Sequence, residues 1–101
     1  MFDPYYVLEQ EFYSKIIRPK RLLHDCVEWL GKINESGYGV LDGGQYAHRI
    51  SYLMRYERIP KGWEIDHLCR NKKCVNPHHL EAVTKTINQQ RRDYQRNPDG
   101  T

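Results

Sequence analysis

Between Glu64 and Thr84 the chain reads EIDHLCRNKKCVNPHHLEAVT, a stretch that holds two of its three cysteines and three of its five histidines. Three cysteines cannot close a disulfide framework, and an odd count in a chain read as intracellular points to metal binding. Four residues separate Cys69 from Cys74, and four more separate Cys74 from His79, so three soft or borderline donors share one turn-rich loop. A structural zinc needs four such donors in a tetrahedron, and a closed site contributes folding free energy directly. Cys26 is the remaining cysteine and the expected fourth ligand; the competing role for it is that of a small buried apolar residue. His78 competes with His79, but the regular spacing and the adjacent apolar stretch LEAVT favour His79.

A second constellation flanks this loop. Asp66 and His67 precede it and Asn88 follows it. Asp66 and Asn88 offer oxygens to a hard cation such as Mg²⁺, which keeps several waters and binds substrate phosphate. His67 is suited to take a proton from an attacking water, with the cation offsetting charge on a scissile phosphate. Neighbouring residues of a strand point to opposite faces, so Asp66 and His67 reach one site only through a bend or bulge. Taken singly, the three residues equally suit a turn cap, a satisfied interior imidazole and a helix surface.

The elements that must hold these residues follow from periodicity. Within residues 5–24, Tyr6, Leu8, Phe12, Ile16 and Ile17 recur at loosely helical spacing, predicting a first helix that ends at Pro19. Short strands are predicted around Val27–Leu30 and Tyr38–Leu41, with turns at the intervening glycines. Ala47, Ile50, Leu53 and Met54 share one face of a helix running to about Glu57. Residues 65–68 and 80–83 read as partner strands, and Thr84 caps a helix from Lys85 to about Gln95. The expected fold class is α+β, a small single domain in which a leader over residues 1–25 precedes a catalytic unit over 26–96 and a polar tail over 97–101.

Composition narrows the setting. A chain of 101 residues with 39% hydrophobic residues has a thin core that an internal metal staple would reinforce. No apolar run approaches the roughly 18 to 20 residues that cross a bilayer. The start MFDPYYVLEQEF lacks the pattern of a secretory signal, so a cytoplasmic location is expected. The net charge is +3, and the excess falls in residues 66–101, the half that contains the cluster, as a phosphate-bearing substrate would favour.

IDHLCRNKKCVNPHHLEAVT followed by KTINQQR resembles the HNH endonucleases, specifically the zinc-stabilised branch common in phage genomes, and its loop is similar to that of the His-Cys box homing endonucleases. CVEWLGKINESGYG, AHRISY and IPKGWEIDH extend the resemblance upstream, so that it covers about residues 26–92. It implies a ββα-metal (His-Me finger) motif, with His67 as general base, Asp66 and Asn88 as ligands of a catalytic Mg²⁺ or Mn²⁺, and Cys26, Cys69, Cys74 and His79 as zinc ligands. It further implies that Asn76 orders the loop and that Arg49 contacts phosphate. His48 is left outside the site. Many relatives carry Glu immediately before the helix asparagine; here that residue is Ile87, which can bury against the strands, so the fold tolerates the change.

DNA is the partner this implies. Arg91, Arg92 and Arg96 beside Gln89 and Gln90, with RPKR at residues 18–21, would neutralise phosphates in a largely sequence-independent way. The absence of an appended recognition module argues for modest specificity, or specificity supplied by a partner, and against a homing enzyme with a long target. A monomer would nick and a homodimer could cut both strands. Of the small proteins of this branch, some assist terminase during DNA packaging and others act as mobile nucleases; the sequence does not choose between these roles, and terminase is a candidate partner under the first. The reading from a different class is a catalytically silent zinc-containing module that binds nucleic acid; Asp66, His67 and Asn88 together favour the enzyme.

Overall fold

The computed structural model describes residues 4–96, with side chains over residues 7–93. The tail at 97–101 and the side chain of Arg96 lie outside what it describes. Helix α1 spans Pro4–Ser14, α2 Ala47–Tyr56 and α3 Lys85–Arg96; strands β1, Glu64–His67, and β2, Leu80–Val83, form a two-stranded antiparallel sheet. The result is an α+β domain in which a β-hairpin leads directly into a helix.

The hairpin register pairs Glu64 with Val83, Asp66 with Glu81 and His67 with Leu80. The loop over 68–79 closes with Leu68 N–H donating to the His79 carbonyl at 2.8 Å. Thr84 begins α3 as its side chain predicts, Oγ1 accepting from Ile87 N–H at 3.2 Å. The predicted boundaries of α2, β2 and α3 agree with these elements to within a residue, and β1 starts and stops one residue earlier than expected.

The N-terminal half departs from expectation. Helix α1 stops at Ser14 rather than near Pro19, because the β-branched Ile16 leaves helical geometry to bridge Trp29, and Leu30 N–H donates to the Lys15 carbonyl at 2.8 Å. The strands expected at 27–30 and 38–41 are reduced to isolated bridges, Glu28 with Cys74, Ile33 with Gly39 and Val40 with Tyr46. Trp29 is the reason the chain folds tightly rather than running straight. The residue is 3% exposed, and its ring fills the space a Cβ would need at Gly39, where the nearest ring atom would stand 2.5 Å away.

Trp29 belongs to the core with Phe12, Val27, Leu41, Ala47, Ile50 and Val75. Phe12 comes from α1 and Val75 from the 68–79 loop, so burying this apolar surface joins the N-terminal helix to the cysteine-bearing loop. Ser51 of α2 adds a hydrogen bond to the Val75 carbonyl at 2.5 Å.

Candidate active site and Cys3His cluster

Cys26, Cys69, Cys74 and His79 come together with their donor atoms all within 4.8 Å of one another. His79 Nδ1 lies 3.6 Å from Cys26 Sγ and 3.5 Å from Cys74 Sγ. A tetrahedron with zinc–sulfur bonds of about 2.3 Å has edges of about 3.8 Å, so the donor set fits a structural zinc. Burial pushes the Cys74 thiol up to about 12 and moves Cys69 in the same direction, which disfavours free thiolates here and leaves a bound cation as the natural source of compensating charge.

The cluster forms because backbone pairing brings a distant segment to the loop. Trp29 N–H donates to the Lys73 carbonyl and Val75 N–H to the Val27 carbonyl, laying residues 27–29 along 73–75 and delivering Cys26 beside Cys74. Asn76 completes the join. It is fully buried, its amide donates to the carbonyls of Leu22 (2.5 Å) and Asp25 (2.8 Å), and its Oδ1 accepts from His78 N–H at 2.9 Å. That last bond caps the 3-10 turn Pro77–His79 and so aims His79 at the cysteines.

His67 hangs from the same loop. Its Nε2 lies 3.0 Å from the Cys74 carbonyl oxygen. A carbonyl can only accept, so Nε2 carries the proton and Nδ1 holds the lone pair in the neutral ring. Burial, with 5% of the residue exposed, lowers the His67 pKa from its ordinary value and favours that neutral form. His67 lines a cavity of about 370 Å³ with Asp66, Arg70, Lys72, Asn88 and Arg92. A second cavity of about 230 Å³ adjoins it, sharing Asn88 and Arg92 and adding His48, Arg49 and Glu64. Asn88 and Arg92 of the expected set thus line the cavity of His67, and Arg49 lines the adjoining one.

Asn88 donates its amide to Glu64 Oε1 at 2.9 Å, leaving its carbonyl oxygen as the group that could meet a cation. The register through Asp66 is regular, without the bulge expected there. Asp66 Oδ1 accepts from Arg70 at 2.9 Å and Oδ2 from Arg91 at 2.8 Å. Arg91, expected on DNA, also pairs with Glu81 at 2.7 Å. Ile87 is 41% exposed and does not bury against the strands: it lies on the outer side of α3 while Asn88 and Arg91 bond to β1.

The residue that sequence reasoning set aside is His48. Its ring centroid lies 4.5 Å from that of His67, and it stacks on Tyr38 at 5.5 Å. Only 6% of it is exposed, and its Nδ1 is the one buried side-chain N or O atom without a hydrogen-bond partner among the described residues. Burial, with smaller contributions from His67 and Arg49, pushes its pKa down to about 3, so the ring is neutral. The available signal was a polar residue among the buried positions Ala47, Ile50 and Ser51 of α2.

Residues 45–90, which carry His67 and Asn88, match the HNH endonuclease family. It is similar to Protein 7.7 of Escherichia phage T7, 36% identical over 69 residues, which make up 65% of this chain and 53% of that protein. Protein 2.8 of the same phage is 36% identical over 84 residues, covering 77% and 57%, and the uncharacterized gene 5.3 protein of Enterobacteria phage T3 is 35% identical over 63 residues, covering 54% and 62%. The chain therefore spans a little over half the length of these curated relatives. No solved structure matches it. No helix among the described residues is long and apolar enough to cross a membrane.

Proposed function

We propose that the protein is a metal-dependent DNA endonuclease that hydrolyses phosphodiester bonds, with β1, β2 and α3 acting as a ββα-metal unit. The observation that carries this reading is the bond from His67 Nε2 to the Cys74 carbonyl, which frees Nδ1 as a base in a cavity that Asn88 and Arg92 also line, with Arg49 on the adjoining one.

In this reading His67 Nδ1 takes a proton from a water as the water oxygen attacks phosphorus. The bond to the leaving oxygen breaks, and that oxygen is reprotonated from solvent. Arg49 and Arg92 hold the phosphodiester and face the charge that develops on its oxygens. Among the expected ligands, the Asn88 carbonyl is the oxygen best placed for a divalent cation, whose chemistry would be to neutralise charge on the phosphate and leaving group. Structural zinc on Cys26, Cys69, Cys74 and His79 fixes the loop from which His67 is hung. The substrate is read as DNA from the family and from the basic cleft walls.

The test is cleavage of duplex DNA with Mg²⁺, with Mn²⁺ and with EDTA. Cation-dependent cutting that Asn88→Ala reduces at least tenfold supports the reading. A folded, zinc-loaded protein that binds DNA and cuts it under none of these conditions is instead the silent binding module.

A further inference from the structure

Asp66 was expected to ligate the catalytic cation, yet its surroundings suit another task. Its side chain is 8% exposed, and a guanidinium occupies each carboxylate oxygen, Arg70 at 2.9 Å and Arg91 at 2.8 Å. Such charge-assisted bonds are the strong ones, and two guanidiniums beside the carboxylate oppose the approach of a divalent cation. Arg91 is anchored from behind by Glu81. Arg70 has φ +64, a left-handed conformation uncommon outside glycine, directly after Cys69. That turn brings its side chain back to Asp66, four residues earlier, while leaving Arg70 on the wall of the cavity that holds His67 and Asn88. Backbone strain of this kind persists where the surroundings over-determine it, and it clusters at ligand clamps.

We infer that Asp66 is a positioning residue. It holds Arg70 toward the scissile phosphodiester, with Arg91 and Glu81 bracing it, and it leaves the cation to Asn88. This rests on the nuclease reading for its substrate but not for its metal test.

Charge supplies a directional check. Removing an acid from a basic cleft should tighten DNA binding by electrostatics alone, so a loss of function in Asp66→Asn runs against the bulk effect. The experiment pairs calorimetric titration of zinc-loaded, DNA-free protein with Mn²⁺ and single-turnover cleavage across Mg²⁺ concentration, for wild type, Asp66→Asn, Arg70→Ala and the double variant. The expected result is at least tenfold slower cutting by each single variant, no further loss in the double variant, and Mn²⁺ affinity and half-saturating Mg²⁺ within about twofold of wild type. Tenfold weaker cation binding in Asp66→Asn would overturn the inference, as would tighter binding in Arg70→Ala, where a ligand carboxylate would be unmasked. If Asp66→Asn does not fold, Arg70→Ala decides by the same titration. A wild type that binds Mn²⁺ but cuts no DNA removes the nuclease reading, and the titration alone then decides Asp66. A wild type that neither binds Mn²⁺ nor cuts overturns both.

Discussion

His67 Nε2 lies 3.0 Å from the backbone oxygen of Cys74, so the candidate base is held by the most deeply buried member of the Cys3His cluster. The cluster and the base stand or fall together in one direction only: losing the cluster should lose the base's orientation, whereas losing the base should leave the cluster.

Structural zinc contributes about 10–16 kcal/mol in small metal-folded domains, comparable with the whole stability of a typical domain. Cys69→Ser and Cys74→Ser should therefore be largely unfolded at 25 °C, and a strong chelator should unfold the wild type. His67→Ala removes a hydrogen bond and some packing, a loss of about 1–3 kcal/mol, and should still melt cooperatively. Circular dichroism melts with zinc quantification check this; superimposable curves for all three variants would contradict the structural role.

His48 makes stability depend on pH. Its folded pKa, about 3, lies below the ordinary value of 6.5, so the unfolded chain binds more protons between those limits. Its contribution is present in full above about pH 6.5 and is lost as pH falls toward 3. Between pH 7 and pH 5 wild type should lose about 2 kcal/mol more than His48→Phe. Urea unfolding at both pH values measures this. Parallel losses would contradict a neutral, buried His48.

The hairpin, the long loop and α3 were legible in the sequence because local signals agreed: evenly spaced donors, the Asn76-Pro77 turn, apolar residues at 80 and 83, and Thr84 as a cap. Residues 15–46 were not. Their pairing is one bridge at a time, arranged around a single tryptophan, and periodicity carries no record of which backbone carbonyl Trp29 or Val75 will meet. His48 and the Asp66 pairing were missed for a related reason. Each depends on partners from separate elements, Tyr38 and His67 for the first and Arg91 of α3 for the second.

Gly39 gives a test of that tryptophan packing. A methyl group there would stand 2.5 Å from Cδ1 of Trp29, so Gly39→Ala forces the indole or the backbone to shift. We expect a loss of about 1–3 kcal/mol, the usual range for overpacking. An unchanged melting temperature would show that Trp29 does not shape this segment.

Arg92 lines both cavities and pairs weakly with Glu64 at 3.6 Å. As a phosphate contact it should add about 1 to the slope of log affinity against log salt, and Arg92→Ala should remove that increment across unrelated sequences. On the proposed reading Arg49 faces the reacting phosphate as well, and Arg49→Ala should slow cleavage roughly 100-fold with a smaller effect on binding. Fluorescence anisotropy over a salt series, alongside single-turnover rates, separates the two roles. An unchanged salt slope in Arg92→Ala would remove it from the DNA interface.

The most direct measurement is conversion of supercoiled plasmid to nicked and linear forms by wild type and His67→Ala, with Mg²⁺, with Mn²⁺ and with EDTA. The account predicts cutting that needs the cation and that His67→Ala reduces at least 100-fold while the variant remains folded and zinc-loaded. Cutting by His67→Ala at the wild-type rate would contradict it.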